Sequence, residues 1–319
     1  MDLYTIGWCD AYGLEMDAGL RRARVASDKG GVYELWAESG VLQARVAGGW
    51  RLARPVTGDW VCYDSGSNVI KALLPRRSKV SRKKAGRTWE EQVLAANVDV
   101  LFLVTAFDHD LNLRRMERYL VMAAESGARP VVVLNKADVC ADPAEARRGM
   151  DRIAGDVEVV PVSALDRESV GELHRYVERG ETAALLGSSG VGKSTIVNRL
   201  VEREAQPTQV VREHDGRGQH TTTGRQLFLL EEGWLLIDTP GLRELEPWAG
   251  AEATTAVFPD IMELAQNCRF RDCAHASEPG CAITAAISGG RLEAARLESF
   301  QKLRGEMKVL EEKCNPRKK

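Results

Sequence analysis

The segment that decides the fold is Thr182-Ala-Ala-Leu-Leu-Gly187-Ser188-Ser189-Gly190-Val191-Gly192-Lys193-Ser194-Thr195. A short apolar run enters a G-x-x-x-x-G-K-[ST] loop without a break, and a helix is predicted to follow. Strand, glycine loop and helix in that order are what the phosphate-binding loop of an α/β domain requires. The glycines let main-chain N–H groups turn inward on phosphate, Lys193 can reach the β and γ oxygens, and Ser194 can ligate Mg²⁺. Residues 187–195 are therefore the expected phosphate cradle, with Lys193 as a catalytic cation.

Upstream of this loop, strands alternate with helix-period segments. Strands are predicted at 100–105, 131–134, 157–162 and 182–186, and helices at 112–125, 143–153 and 168–178. Asn135-Lys136-Ala-Asp138 follows the second strand. A carboxylate at Asp138 can accept from both the N1–H and the exocyclic amine of guanine, a donor pair that adenine lacks, so GTP is expected over ATP. Ser163-Ala164-Leu165 follows the third strand and can back up the base site. Downstream, Asp238-Thr-Pro-Gly241 follows a predicted strand at 234–237, where Asp238 can hold Mg²⁺ through water. The polar run at 216–224 reads as a switch loop, and Thr222, rather than Thr221 or Thr223, is expected to complete the Mg²⁺ shell.

The order of these pieces is reversed. A standard GTPase places its phosphate loop first and its guanine-reading motif near the end, whereas here the guanine motif comes first. The domain reads as if it had been cut and its old ends joined through the segment 168–186. The cut puts whatever follows residue 241 at the exit of a switch, mechanically coupled to it.

Outside this core, 319 residues suggest two or three domains. Residues 32–74 alternate short β-prone runs with glycine-bearing turns, the pattern of a small OB-like barrel. The segment before it, through Lys29, shows no clean period and reads only as an N-terminal extension. Between residues 71 and 87 lie Lys71, Arg76, Arg77, Lys79, Arg82, Lys83, Lys84 and Arg87 with no acidic residue. Such a block is either a solvated linker or a surface for nucleic-acid phosphates. A net charge of −2 confines any nucleic-acid contact to local patches of this kind. No apolar stretch is long enough to cross a bilayer, and the first ten residues lack the features of a secretory signal, so a reducing cytoplasm is expected. Cys268, Cys273, His275 and Cys281 lie within fourteen residues. Three thiolates and an imidazole suit a tetrahedral, structural Zn²⁺ site. Cys9, Cys62, Cys140 and Cys314 have no such company. A helical tail is predicted at 291–313, with Leu292, Ala295, Leu303, Val309 and Leu310 as its apolar residues.

Taken together, the reversed motif order, GSSGVGKS, GQHTTT, DTPG, the Cys268/Cys273/His275/Cys281 set and Ala95-Ala-Asn-Val-Asp99 resemble the circularly permuted GTPases that depend on the small ribosomal subunit, the RsgA or YjeQ family. The resemblance implies a multi-domain chain: an N-terminal OB-like β-barrel, a central circularly permuted α/β P-loop GTPase domain, and a mainly helical zinc-binding C-terminal domain. Expected bounds are 1–80, 88–245 and 246–319. It also implies binding to the small ribosomal subunit and its rRNA late in maturation, with GTP hydrolysis stimulated by the subunit. Leu242 stands where many GTPases keep a water-orienting glutamine, and the resemblance assigns that role to His220. Gly190, where potassium-activated GTPases carry asparagine, argues against K⁺ assistance. A monomer is expected, and the alternative is a GTPase switch acting on another RNA or on a protein.

Overall fold

The computed structural model describes residues 1–9, 12, 19–84, 90–107, 111–140, 143–202, 225–238 and 251–314. Five strands, β1 (Leu20–Asp28), β2 (Tyr33–Ala37), β3 (Gly40–Val46), β4 (Trp60–Asp64) and β5 (Val69–Leu73), close in the order β1-β2-β3-β5-β4-β1. All pairs are antiparallel except β3 with β5. Val25, Leu35, Val61 and Ile70 fill the barrel.

The barrel's longest strand, β1, lies in the segment that shows no period. Arg21, Arg22 and Arg24 conceal it by leaving few apolar residues to read, and Arg24, on the face opposite the barrel residues Ala23 and Val25, is nonetheless buried. Arg24 is 1% exposed. It donates to the carbonyls of Ile6 (2.6 Å), Gly58 (3.3 Å) and Asn97 (3.2 Å) and to Thr182 Oγ1 (2.8 Å). Burial pulls its pKa down to about 10, which leaves it charged at neutral pH. Asn97 and Asp99 of the AANVD segment belong to the same junction. The Asn97 amide donates to Gly58 O, and Asp99 accepts from Thr182 N. Barrel and central domain are thus joined at the start of the strand that leads into the glycine loop.

The basic stretch is not a solvated linker. It continues into β6 (Lys79–Lys83), which pairs with β7 (Glu91–Ala96), and four of its cations meet acids from outside the stretch. Arg76 grips fully buried Asp59 through two nitrogens at 2.7 Å. Arg77 pairs with Asp99, Lys79 with Glu91 and Lys84 with Glu90. Arg87 lies outside the described residues.

The central sheet runs β10-β9-β8-β11-β13-β12, comprising β8 (Val100–Ala106), β9 (Arg129–Asn135), β10 (Val159–Pro161), β11 (Thr182–Gly187), β12 (Gln226–Leu229) and β13 (Leu235–Asp238). Only β12 is antiparallel to its neighbour. Buried residues alternate between the two faces. Val100, Phe102 and Val104 pack on one side, and Leu101 and Leu103 on the other, as a parallel sheet covered on both faces demands. The covering helices are α1 (Leu113–Ser126), α2 (Pro143–Ala154), α3 (Arg167–Gly171) and α4 (Lys193–Glu202). The helix predicted at 168–178 is shorter than expected. After Gly171, a poor helix former, it tightens into a 3-10 turn at Glu172–Tyr176.

Four helices follow: α5 (Ala251–Val257), α6 (Pro259–Ala265), α7 (Ala282–Ser288) and α8 (Ala294–Cys314). Their core of Phe258, Ile261, Ile283, Phe300, Leu303 and Met307 also takes in Val121 of α1. Val309, expected in the apolar stripe of the tail, is 45% exposed, and Leu297, Phe300 and Met307 are buried instead. Among the described residues no helix is long and apolar enough to cross a membrane.

Candidate nucleotide site and metal centre

Strand β11 runs between β8 and β13 and delivers the glycine loop to the end of the sheet. At Gly187 the strands approach so closely that a Cβ would lie 2.3 Å from Val104 O. Gly190 and Gly192 have φ of +83° and +96°, which L residues rarely adopt, and these turns carry the loop to the first turn of α4. Ser194 and Thr195 are exposed there, beside the unpaired N–H groups of a helix start, which favour an anion. Lys193 Nζ bends back over the loop and donates to the carbonyls of Gly187 (2.6 Å) and Ser188.

Asn135 joins the phosphate end of the site to the base end. Its side chain is 1% exposed. Nδ2 donates to Val191 O at 2.7 Å, within the glycine loop, and Oδ1 accepts from Ala164 N at 2.9 Å, within the Ser163 loop. Both amide groups are committed to protein, so Asn135 acts as a strut that sets the distance between two loops. A Cβ on Gly192 would lie 2.1 Å from its Nδ2, which gives that glycine a second reason to be glycine. Lys136, at φ +61°, turns the chain into the 3-10 turn Ala137–Val139, where Asp138 is exposed. Ala137 N donates to Val162 O, which holds the two base-side loops together, and Ser163 N donates to Ser169 Oγ of α3.

Asp238 ends β13, the strand beside β11. Thr222, His220, Leu242 and residues 239–241 lie outside the described residues.

The second constellation stands in the loop between α6 and α7. The donor atoms of Cys268, Cys273, His275 and Cys281 all lie within 4.8 Å of one another. Cys268 Sγ is 3.6 Å from His275 Nδ1 and 4.0 Å from Cys281 Sγ, and Cys281 Sγ is 3.7 Å from His275 Nδ1. With metal–sulfur bonds of about 2.3 Å and metal–nitrogen bonds of about 2.0 Å, the edges of a tetrahedron are roughly 3.5–3.8 Å, so the set can hold one ion. Burial alone would raise the Cys281 thiol, but hydrogen bonds from Thr284, His275 and Cys273 outweigh it and bring the pKa to about 6. Cys273 is pushed up to about 11 by burial and by the neighbouring sulfurs of Cys281 and Cys268. A cation bound here would displace the proton that Cys273 holds. Behind the ligands, the Glu278 carboxylate accepts from the amides of Ala274 (2.8 Å), Ala276 (2.9 Å) and Ser277 (3.1 Å), which fixes the backbone around His275 at φ +60°.

A family model of the RsgA GTPase matches residues 73–248, the span that holds both halves of the candidate nucleotide site. The chain belongs to the RsgA GTPase family. It is accordingly a GTP-hydrolysing enzyme. Over 317 residues it is 42% identical to the small ribosomal subunit biogenesis GTPase RsgA of Methanosarcina acetivorans, covering 97% of this chain and 86% of that one. The corresponding protein of Opitutus terrae is 41% identical, with coverages of 99% and 92%. The crystal structure of YjeQ from Thermotoga maritima superposes with a TM-score of 0.68 at 27% identity, covering 90% of this chain and 98% of that one. The barrel, the permuted GTPase core and the C-terminal Cys/His module are thus the arrangement of the RsgA family.

In this RsgA-family chain the sequence motifs do not disclose what α1 does. Asn112 caps it by accepting from Arg115 N. One face reaches the glycine loop, where Arg115 Nη1 donates to Ser188 Oγ at 2.6 Å and Tyr119 OH lies 3.3 Å from the same atom. The opposite face is bolted to the C-terminal module. Buried Glu117 accepts from Arg296 Nη1 at 2.8 Å and from Ser299 Oγ. Arg296 also pairs with Asp260 through two nitrogens and donates to Val257 O. Arg114 and Arg118 pair with Glu298 and Glu306 of α8. No motif marks these residues, and only an unusual density of arginine on α1 hints at them.

Proposed function

We propose that this GTPase acts on the small ribosomal subunit late in its maturation, hydrolysing GTP to GDP and phosphate faster when the subunit is bound. The observation that carries the reading is the Asn135 strut. It ties the glycine loop to the two base-side loops, in a chain 42% identical to a relative named for small-subunit biogenesis.

In this reading the phosphates lie against Gly187, Ser188, Ser189, Gly190, Val191, Gly192, Lys193, Ser194 and Thr195. The amides at the start of α4 and the Lys193 ammonium stabilise charge that builds on the β and γ oxygens. Mg²⁺ is held by Ser194 and Thr222 and, through water, by Asp238. Asp138 reads guanine, Lys136, Ser163 and Ala164 shape the base pocket, and Asn135 holds it to the phosphate loop. His220 positions the attacking water. The ion of the C-terminal module is Zn²⁺, bound by Cys268, Cys273, His275 and Cys281 as a closed structural site, as its soft donor set suits. The proposed domain bounds are 1–80, 88–245 and 246–319, and the chain works in the cytoplasm as a monomer.

The test is phosphate release under multiple turnover with no addition, with purified small subunits and with large subunits. Small subunits alone should accelerate it, and Lys193→Ala should abolish the stimulated rate. Equal stimulation by large subunits, or none by either, would refute the assignment.

A further inference from the structure

In the basic stretch at 71–87, Arg76, Arg77, Lys79 and Lys84 are held in ion pairs, and a second set of cations available to a polyanion lies elsewhere. They occur at the tip of the metal-binding loop, Arg269-Phe270-Arg271. Both arginines are exposed, and neither has a carboxylate partner among the described residues. Phe270 is 41% exposed, and among the described residues only Tyr4 is another exposed aromatic. The Arg269 guanidinium lies over the Phe270 ring, 5.5 Å from its centroid.

The tip is also held rigid. Cys268 and Cys273 flank it, Arg269 N donates to Gly280 O at 3.1 Å, and Cys273 N donates to Phe270 O at 3.4 Å. Gly280, at φ +78°, makes room for the Arg269 stem, since a Cβ there would lie 3.1 Å from Arg269 Cβ. The nearby Glu278 carboxylate is spent on three backbone amides, which leaves exposed Asp272 as the one acid within the loop tip.

We propose that Arg269-Phe270-Arg271 is a docking point for an unpaired RNA nucleotide, with the base stacked on Phe270 and adjacent phosphates paired with the two arginines. A protein partner docking by apolar contact would need neighbouring exposed apolar side chains, and in the C-terminal module the only other large one among the described residues is Val309, at the far end of α8. Duplex RNA offers phosphates but no free base face, whereas a single aromatic ring between two guanidinium groups matches a splayed-out base and its backbone. The inference deepens the proposed role on the small subunit and rests on it for the source of the RNA.

The test titrates the full-length, metal-loaded chain with purified small subunits and, separately, with a single-stranded oligoribonucleotide of mixed sequence, each at two salt concentrations. The variants are Phe270→Ala, Phe270→Leu, Phe270→Trp and the double substitution Arg269→Gln/Arg271→Gln. Metal content and basal GTP turnover establish that each is folded. Phe270→Ala and Phe270→Leu should both weaken binding about five- to 100-fold, while Phe270→Trp should keep it. The double variant should flatten the slope of log affinity against log salt by about 1.4, roughly 0.7 for each single-strand phosphate that is no longer neutralised. Unchanged subunit affinity in Phe270→Ala would overturn the inference. Full rescue by Phe270→Leu would also overturn it, by assigning the ring to an apolar protein contact. If the unmodified chain ignores small subunits, the proposed function falls, and the oligoribonucleotide titrations decide the loop by themselves. There, loss with alanine and retention with tryptophan support the docking point, and equal binding by both rejects it.

Discussion

Replacing Asn135 with alanine should uncouple the two ends of the nucleotide cleft. The substitution removes one hydrogen bond to the glycine loop and one to the Ser163 loop, and leaves Val191 O and Ala164 N without partners. Each buried orphan costs ~1–3 kcal/mol. Because both loops reach the surface, where water can enter, we take the lower part of the range, ~2–4 kcal/mol for the pair. Expressed wholly in nucleotide binding, that is a loss of about 30- to 700-fold at ~1.4 kcal/mol per decade. Asn135→Asp should be no better, because it keeps an acceptor for Ala164 N but sets a carboxylate oxygen against Val191 O. Gly192→Ala should behave similarly from the other side, since its Cβ would lie 2.1 Å from Asn135 Nδ2. The assay is titration with a fluorescent GDP analogue, with urea denaturation run in parallel to confirm that the variants are folded. If folded Asn135→Ala binds GDP within about threefold of the unmodified chain, Asn135 does not hold the cleft together.

Three further outcomes are expected. Asp138→Asn should weaken GTP binding by at least about tenfold, since it removes a charged acceptor of hydrogen bonds worth ~1.5–3 kcal/mol each. The same variant should improve binding of xanthosine nucleotides, which carry a carbonyl where guanine has its amine, and competition titration reads both. Glu278→Gln should weaken metal retention about 10- to 100-fold, measured as transfer to a colorimetric chelator. The Glu278 carboxyl is held down to about 2, chiefly by backbone amides including its own and those of Ala274 and Ala276. A depressed folded pKa means that its contribution is present above the ordinary carboxylate range and is lost only as pH falls toward 2, so the gap between the two proteins should stay constant from about pH 6 to 8. Arg24→Met orphans three buried carbonyls and should lower stability by at least ~3 kcal/mol in urea unfolding, with the metal still bound.

The chemistry of the site is legible because it is written locally. Gly190 and Gly192 announce backbone turns that other residues avoid, and the apolar run ahead of Gly187 announces a buried strand. The close spacing of Cys268, Cys273, His275 and Cys281 brings four donors together whatever surrounds them. The permutation is legible for the same reason, since motif order is a property of the chain alone.

Other features depend on partners distant in the chain, and these only the tertiary structure decides. The outer face of β1 is buried through Arg24, whose acceptors lie 18 to 158 residues away, which no periodicity can register. Half of the cations of residues 71–87 look available until Asp59, Asp99, Glu90 and Glu91 are placed against Arg76, Arg77, Lys84 and Lys79. Asn135 reads as part of a ligand-contacting motif, and the partners that also hold its side chain lie 29 and 56 residues further along. Helix α1 reads as an ordinary amphipathic helix, yet its two polar edges touch Ser188 and α8. Hydrogen bonds and ion pairs are short-ranged in space and indifferent to separation along the chain, so a sequence can name the groups that need partners, but only the folded chain says which partners they find.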